Sequence, residues 1–288
     1  MIVLLVILCL VQAPVATTSS PKLVNENGAN TRFRDGVWEL RGGGGWLRTE
    51  HALLDFEVTF EIRALTPEAD PGLIVRTWRG WQLWPDRGYR LTLPTGRSME
   101  VSKLLTGRQQ QFSVRHEGQL SLHPHGEWQR VHVAGQRGTI RVAVNDVLAA
   151  EFTIENPGGY LMFDNRKGRV EIRHVTLQTR DLNEVIPTDV VREKDLKKSG
   201  GTSPEVLYEM KPAYTPEAMR AKVQGTVGME AVVFADGTVG PVRVTRSRDR
   251  DLDIAAVAAL KGWRFRPATL NGAPVPAIVE VEMTFTLR

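Results

Sequence analysis

The stretch from Leu252 to Arg288 decides how the C-terminal end of this chain folds, and it reads LDIAAVAALKGWRFRPATLNGAPVPAIVEVEMTFTLR. Its first part places Leu and Ala at helical spacing, with Asp249 or Asp251 available as the N-cap and Gly262 as the end. Its last part alternates apolar and polar side chains, as a strand does when one face is buried and the other is wet. We therefore expect a helix packed on one face of a small antiparallel sheet.

The residues upstream predict the remaining elements of the same small domain. A helix is expected from Pro216 to Lys222, followed by strands from Gly225 to Phe234 and from Val239 to Ser247. Asp236-Gly237 lies between the two strands and supplies the positive backbone angles of a tight hairpin turn. This end of the chain is therefore expected to be a small α+β domain.

Several short motifs of this region are informative through their order and spacing along the chain. They are Tyr214-Thr215-Pro216-Glu217-Ala218, Gly225-Thr226-Val227, Asp236-Gly237, the Ala-rich helix Leu252 to Leu260, Trp263-Arg264-Phe265-Arg266-Pro267-Ala268 and Gly272-Ala273-Pro274-Val275. With them, residues 204–288 resemble the TonB C-terminal family. Trp263 and Phe265 also have a plain physical role, because large aromatic side chains can seal a sheet against a helix.

The resemblance implies a peptide-docking site. In that family an extended segment of a partner, such as the TonB box of an outer-membrane transporter, pairs along the exposed edge of the final strand. Carried onto this chain, the peptide-binding edge is Ile278, Val279, Glu280, Val281, Glu282, Met283, Thr284, Phe285, Thr286 and Leu287. The alternative is that the charged side chains only solvate an edge strand and oppose aggregation.

The region from residue 21 to residue 180 has a different pattern, with short β-forming runs separated by Gly, Pro, Asp and Asn. The predicted strands are Val37–Leu40, Leu54–Ala64, Gly72–Thr77, Tyr89–Leu93, Gln111–Arg115, Gln129–Ala134, Thr139–Val144, Val147–Thr153, Gly159–Phe163 and Val170–Leu177. Many evenly spaced strands with little helix predict an antiparallel, jelly-roll-like β-sandwich. The whole chain is therefore expected to be mostly β, with the small α+β domain at its end.

Segments of the sandwich also carry a resemblance. They are Phe56-Glu57-Val58-Thr59-Phe60-Glu61-Ile62-Arg63, Gly126-Glu127-Trp128-Gln129-Arg130-Val131, Val144-Asn145-Asp146, Gly159-Tyr160-Leu161 and Val170-Glu171-Ile172-Arg173-His174-Val175. In these segments the chain resembles concanavalin-like secreted domains related to 3-keto-disaccharide hydrolases. The resemblance implies a sandwich of a kind that sugar-binding proteins share.

One segment of the sandwich combines aromatic rings with guanidinium groups, which stack on sugar rings and donate hydrogen bonds to hydroxyl or acidic groups. The candidate glycan-binding residues are Trp78, Arg79, Trp81, Trp84 and Arg87. The alternative is that two of the three tryptophans complete the sandwich core. Hydrolysis would need two carboxylates held across the glycosidic bond, and the sequence alone brings no two together. The carboxylate candidates are Glu57, Glu61, Asp86, Glu127 and Asp164.

Composition and motifs favour no cofactor, no metal site and no nucleic acid. The net charge of +4 is dispersed over every region, and no nucleic-acid recognition motif accompanies it. His123-Pro124-His125 is a poor zinc set, because its two imidazoles flank a proline and no cysteine lies nearby. The single cysteine, Cys9, lies in the apolar N-terminal run, so a processed chain would contain no disulfide and no thiolate.

Two further segments complete the organisation. Residues 1–20 begin with the apolar run Ile2–Val11 and are expected to be a secretory signal peptide or, if uncleaved, a short membrane anchor. Residues 181–203 are polar, of mixed charge and end in Gly200-Gly201, which predicts a linker between the sandwich and residues 204–288. The expected location is the bacterial cell envelope, either periplasmic or secreted, or anchored to the inner membrane.

These features favour a non-catalytic cell-envelope protein of the TonB family. It would dock extended segments of envelope partners, such as an outer-membrane TonB-dependent transporter, by β-strand addition, while the sandwich binds a glycan or a protein. One alternative is a secreted glycan-active hydrolase with a TonB-type localisation module. The other is a TonB-type energy transducer, which would need a long membrane helix and a Pro-rich spacer where this chain has a short apolar run and a β domain.

Overall fold

The computed structural model describes residues 17–26, 28–77, 87–94, 99–105, 108–111, 121–136, 138–154, 158–179 and 182–287. Most of the predicted signal segment, residues 1–16, lies outside these ranges. Its last residues, Thr17–Ser19, form a strand that pairs with the sandwich. Every helix in the described residues is too short or too polar to cross a membrane.

The N-terminal region is a sandwich of two antiparallel sheets. Its strands are β1 (Thr17–Ser19), β2 (Leu23–Glu26), β3 (Thr31–Arg34), β4 (Val37–Arg41), β5 (Trp46–Thr49), β6 (Phe56–Ala64), β7 (Pro71–Thr77), β8 (Arg87–Thr92), β9 (Val101–Leu105), β10 (Arg108–Gln111), β11 (Gln129–Gln136), β12 (Thr139–Val144), β13 (Val147–Thr153), β14 (Tyr160–Asn165) and β15 (Arg169–Thr179). The first sheet has the order β13-β12-β11-β6-β15-β4-β3, with β1 beside β15, and the second has the order β10-β9-β8-β7-β14-β5-β2. The predicted sandwich is confirmed.

The core lies between the two sheets and follows from the alternation of side chains along each strand. In β6 every second residue from Phe56 to Ala64 is buried, because successive side chains point to opposite faces of a sheet. Phe60 of β6 meets Phe163 of β14 edge to face, with ring centroids 5.0 Å apart. This contact joins the inner faces of the two sheets, and such aromatic pairs add to the stabilisation that burial provides.

Asn145 and Asp146, which separate the predicted strands Thr139–Val144 and Val147–Thr153, form the hairpin turn between β12 and β13, and both have positive φ angles, 48° and 66°. Six strands of the sandwich were not predicted, and they are β1, β2, β3, β5, β9 and β10. Of the predicted strand Gln111–Arg115, Gln111 is the last residue of β10, and residues 112–115 lie outside the described residues. β5 shows why a strand is missed, because all four of its residues are buried, including Arg48 and Thr49. A strand that is covered on both faces shows no alternation of apolar and polar residues.

The C-terminal region is built from eight strands and three helices in the described residues. They are β16 (Val191–Arg192), α1 (Glu193–Lys198), β17 (Glu205–Tyr208), α2 (Pro216–Arg220), β18 (Gly225–Val233), β19 (Val239–Arg246), α3 (Arg250–Lys261), β20 (Arg264–Arg266), β21 (Ala268–Leu270), β22 (Ala273–Val275) and β23 (Ala277–Phe285). The main sheet has the order β16-β23-β18-β19, and β17 with β20 and β21 with β22 form two small pairs.

Helix α3 packs on one face of this sheet, as the sequence predicted. Its N-cap is Asp249, whose carboxylate accepts hydrogen bonds from the backbone N–H groups of Asp251 and Leu252 at 3.0 and 3.2 Å, and Gly262 ends the helix. Trp263 and Phe265 are buried in the same apolar core. Their predicted role as fold determinants is confirmed.

The turn between β18 and β19 contains Asp236-Gly237, and of these two residues only Gly237 has a positive φ angle, 80°. A Cβ atom at Gly237 would lie 2.0 Å from the carbonyl oxygen of Phe265. Glycine is therefore required here both for the backbone angle and for the close approach of β20.

The segment predicted as a linker is partly folded on the C-terminal domain. We name residues 182–203 the connector. It contains β16 and α1, and the fully buried Leu196 of α1 packs with Ala268 and Ala277. Leu196 is the one buried residue of the connector, and its other residues lie at the surface of the C-terminal domain. A composition typical of a linker is therefore compatible with this packing.

The two domains also meet through the N-terminal turn of α3. The carboxylate of Asp251 accepts a hydrogen bond from the hydroxyl of Tyr160 at 2.5 Å and another from the backbone N–H of Ala52 at 3.1 Å. One turn further, Ile254 is buried against an apolar cluster of the sandwich that includes Trp46 and Tyr160. The outer face of the second sheet therefore receives the C-terminal domain at this end.

Candidate functional site

Strand β23 has different neighbours on its two sides. On its inner side it pairs with β18 along its whole length, from Ala277 opposite Val233 to Phe285 opposite Gly225. On its outer side it pairs only with β16, at Ala277 and Ile278. In the described part of the chain, no strand lies beside Val279–Phe285 on that outer side. We name these residues the open edge, because such a strand presents unpaired N–H and C=O groups.

The residues predicted as the peptide-binding edge fall almost entirely on β23. Ile278 is the exception at one end, because it faces Arg192 of β16 and is not free for a partner strand. At the other end, Thr286 and Leu287 follow the strand, and the N–H of Leu287 donates to the side chain of Gln224 at 2.9 Å. The predicted alternation of β23 is confirmed, with Val279, Met283 and Phe285 buried and Glu280, Glu282 and Thr284 exposed.

The opposite edge of the sheet, at β19, is covered by the beginning of the connector. Glu184 donates its backbone N–H to the carbonyl of Val242 at 2.9 Å, and its carboxylate accepts the N–H of Val242 at 2.8 Å. The side-chain oxygen of Asn183 accepts the N–H of Val244 at 2.9 Å. We name this the covered edge, since side-chain and backbone groups of the connector take the hydrogen-bonding places of a neighbouring strand.

After Glu184 the connector reaches the opposite edge of the sheet, where β16 pairs with the start of β23. There Arg192 attaches the connector to the sheet. The guanidinium of Arg192 donates to the carboxylate of Glu230 on β18 at 2.7 Å, and Arg243 of β19 donates to the other oxygen of the same carboxylate. Glu230 is buried. The hydrogen bonds from Arg192 first, and then from Arg243, lower the pKa of Glu230 below its ordinary value.

Charged side chains form rows across the exposed face of the sheet. In one row, Arg243, Glu230 and Glu280 occupy neighbouring positions on β19, β18 and β23. In the next row the middle position is Gly228, and Arg246 reaches across it to donate to Glu282 at 2.8 Å. Both rows end in a carboxylate at the open edge.

Sequence reasoning missed the residues that cover or clamp the sheet, which are Asn183, Glu184, Arg192, Glu230 and Arg243. Four of them carry no signal, because polar residues in a connector or on a sheet surface are the ordinary expectation. Glu230 does carry one, since it is a charged residue inside the otherwise apolar run of β18. A buried charge requires a partner, so two arginines near it could have been anticipated.

Four of the five residues predicted to bind a glycan lie outside the described residues, and the fifth lies on β8. The four are Trp78, Arg79, Trp81 and Trp84, and Arg87 is the first residue of β8. Among the carboxylate candidates, Asp86 also lies outside them. Glu127 is exposed in a turn, whereas Glu57 and Glu61 lie on β6 and accept hydrogen bonds from Gln136 and Arg173 on neighbouring strands.

Two carboxylates of the sandwich do converge, on the guanidinium of Arg90. Asp164 lies 3.0 Å from Nε of Arg90, and Asp70 accepts from a terminal nitrogen at 3.2 Å, while the remaining nitrogen donates to Thr92. The side chain of Asp164 is completely buried, and burial raises its pKa while Arg90 opposes the rise. Because the carboxylate of Asp164 is enclosed, this cluster ties β7, β8 and β14 together and offers no accessible acid–base pair.

The segment His123-Pro124-His125, which is a poor zinc set by its sequence, lies exposed at a turn. Nδ1 of His123 lies 2.7 Å from the carbonyl oxygen of Trp128, and His125 is exposed. Among the residues that the structure describes, no three His, Cys, Asp or Glu side chains are grouped as metal ligands.

Most of the C-terminal domain, from residue 210 onward, matches known proteins. Residues 210–287 match the family model described as Gram-negative bacterial TonB protein C-terminal. Protein TonB of Xanthomonas campestris pv. campestris is 44% identical over 78 residues, which cover 27% of this chain and 35% of that protein. Protein tonB2 of Pseudomonas aeruginosa is 37% identical over 83 residues, covering 28% and 31%. The chain thus matches only about a third of the length of these curated relatives.

The sandwich matches a second family, since residues 17–178, more than half of the chain, match the model described as 3-keto-alpha-glucoside-1,2-lyase-like domain. Solved structures similar to it include a putative glycosyl hydrolase from Parabacteroides distasonis, 14% identical with a TM-score of 0.44 over 52% of this chain and 83% of that one. A carbohydrate binding module from Bacillus subtilis is 11% identical, with a TM-score of 0.44 over 55% and 95%. The chain therefore belongs to the 3-keto-alpha-glucoside-1,2-lyase-like domain family through its sandwich and carries a TonB-type C-terminal domain after it.

Proposed function

We propose that this is a non-catalytic cell-envelope protein whose C-terminal domain docks an extended segment of an envelope partner. The segment adds as a further strand beside Val279–Phe285. The observation that carries the proposal is the asymmetry of the sheet, in which one edge is covered by Asn183 and Glu184 while the other has no strand after Ile278 in the described residues.

Strand addition needs little from the side chains of the docking site. The partner's backbone would hydrogen-bond to the outward N–H and C=O groups of the open edge, and those bonds supply the affinity. The buried face of β23 packs on the core beneath α3, with Met283 and Phe285 almost fully enclosed. The edge is therefore held straight and needs no ordering when a partner arrives, which favours binding.

The similarity to Protein TonB indicates the class of partner. An outer-membrane TonB-dependent transporter is the first partner to test, and a periplasmic location, or an anchored one, is proposed with it. The alternative role of energy transducer is the weaker proposal, because the matched region is the docking domain alone and covers about a third of that relative.

Site-specific photo-crosslinking in the full chain tests this proposal. A photoreactive residue at Thr284, on the open edge, is expected to capture an extended segment of an envelope protein, identified by mass spectrometry of the joined peptides. Thr245 is the matched control, since it is an exposed threonine on β19, the other outer strand of the sheet. Equal capture at both positions, or capture at neither, would contradict docking at the open edge.

Sugar binding by the sandwich is a second candidate function, and the match to the 3-keto-alpha-glucoside-1,2-lyase-like domain favours it. The predicted residues Trp78, Arg79, Trp81, Trp84 and Arg87 remain its proposed binding site. Hydrolysis is the less favoured form of this candidate, since one of the two carboxylates that converge on Arg90, that of Asp164, is completely buried.

Replacing Trp81 and Trp84 with Ala is expected to abolish retention of the full chain on immobilised glycans, because stacking on aromatic rings provides much of the contact with a sugar. Trp38→Ala is the control, as it removes a tryptophan from β4 of the first sheet. Retention that is unchanged in the double variant, or absent from the parent chain, would remove this candidate.

A further inference from the structure

The open edge has an acidic exposed side. Glu280 and Glu282 lie two residues apart on β23, and their side chains are 74% and 67% exposed. Each stands at the outer end of a row of side chains that crosses the sheet. In a strand added beside β23, the residues directly opposite Glu280 and Glu282 would have their Cβ atoms about 5 Å from the Cβ atoms of these two glutamates.

The two carboxylates differ in how far their rows compensate them, and Glu280 is the less compensated. Glu280 stands opposite another carboxylate, Glu230. Both close arginine contacts in that row go to Glu230, and the contact of Arg192 with Glu280 is longer, 3.9 Å. Glu282 receives Arg246 only across the gap that Gly228 leaves. The row positions beyond β23 therefore favour positive charge, because opposite charges across strands stabilise a sheet and like charges destabilise it.

The protein itself supplies a related contact, in which an arginine on β16 stands opposite Ile278 and reaches a carboxylate of β18 across β23. Strand β16 lies parallel to β23 and is, in the described residues, the one strand on its outer side. Its Arg192 extends over the same exposed face and donates to Glu230 at 2.7 Å. An arginine on the outer side of β23 is thus already present at the start of this edge. Farther along, beside Glu280 and Glu282, no strand of the described residues occupies that outer side.

We propose that the partner segment carries Lys or Arg at two alternate positions, facing Glu280 and Glu282, with an apolar residue between them. The intervening side chain points to the opposite face of the sheet, beside Val281, which packs against the core under α3. The occupant of the open edge is accordingly an extended basic–apolar–basic segment. This inference rests on the proposed function and specifies its partner.

Displayed nonapeptides test the inference with the full chain. Their odd positions vary among Val, Ile, Thr and Tyr, and their even positions are all Lys, all Ser or all Glu in three separate libraries. The Lys library is expected to yield binders about tenfold tighter than the Ser library, and the Glu library the weakest, as two opposed pairs would add. The advantage of Lys should shrink in high salt, because the pairs are exposed to solvent.

Reversal of charge in the protein provides the matched experiment. The double variant E280K/E282K is expected to prefer the Glu library, whereas E205K, at an exposed carboxylate on β17, should leave the order unchanged. Equal binding of all three libraries to the parent chain would overturn the basic segment and leave strand addition standing. Failure of every library to bind would overturn strand addition itself.

Discussion

The edges of the C-terminal sheet at β19 and at β23 are finished in different ways. At β19, Asn183 and Glu184 form hydrogen bonds with the backbone groups of Val242 and Val244, although no strand of the described residues lies there. At β23, two residues of β16 pair with the start of the strand, and the chain then turns away into α1. A few polar groups are thus enough to close an edge, so the open edge is not the result of a missing strand alone.

Loss of the Glu230 side chain should have the largest effect on this comparison, because it frees the connector from the start of β23. We expect E230A to lower the free energy of unfolding by about 2 kcal/mol, since it removes charge-assisted hydrogen bonds from Arg192 and Arg243. Urea denaturation measures the change. The control is E282Q, whose exposed pair with Arg246 should change stability little; equal losses in both variants would contradict the role of Glu230.

Opening the covered edge should have a somewhat smaller effect. We expect E184A to lower the free energy of unfolding by about 1.5 kcal/mol, because it leaves the N–H of Val242 unpaired and removes the partner of Lys261. Hydrogen exchange should show faster exchange of the Val242 amide, while the amide of Val279, paired in a different part of the sheet, keeps its rate. Unchanged protection at Val242 would show that the connector does not close this edge.

Acid should release the connector from Glu230 only at a pH below the ordinary pKa of a glutamate carboxyl group. The pKa of Glu230 is held below its ordinary value of 4.5 by Arg192 and Arg243. Its stabilising contribution is therefore fully present above that value and is lost as the pH falls through the lower pKa of the folded state. The difference in unfolding free energy between the parent and E230Q should be constant near neutral pH and narrow below pH 4.5. A difference that widens in acid would contradict this sign.

The smallest effect is expected for the exposed row at the open edge. R246A should change the free energy of unfolding by less than about 0.5 kcal/mol, because Arg246 and Glu282 are both largely exposed and solvent screens their attraction. It should nevertheless strengthen binding of a basic segment, since Glu282 then has no competing partner in its row. Titration calorimetry with a selected Lys peptide, and thermal denaturation of the same variant, measure the two quantities.

The elements that local pattern determines could be predicted from the sequence. The sequence predicts helix α3 with its N-cap at Asp249 or Asp251, of which the structure has Asp249, and with its end at Gly262. It predicts β23 from the alternation of Val and Glu. Strands such as β5 were missed because they are buried on both faces. In each correct case a residue's role depends on neighbours within a few positions, which is what a sequence displays.

Whether an edge of the C-terminal sheet is covered or open could not be predicted, because this depends on residues that are distant in the chain. Asn183 and Glu184 meet Val244 and Val242 about 60 positions later, and their own segment has the composition of a linker. Arg192 has no local signal that distinguishes it from any solvated arginine. Only the folded sheet brings Arg192 to Glu230, and with it β16 to the start of β23. The sequence alone therefore does not indicate how many residues of β23 remain without a neighbouring strand.

The path of the connector also determines where this domain can be cut from the chain. A fragment that began at Gly201 would lack Asn183, Glu184 and Arg192. Such a fragment would present two unprotected edges to other copies of itself, and stacking of copies edge to edge is how soluble domains grow into filaments. A fragment that keeps the edge at β19 covered therefore begins no later than Asn183.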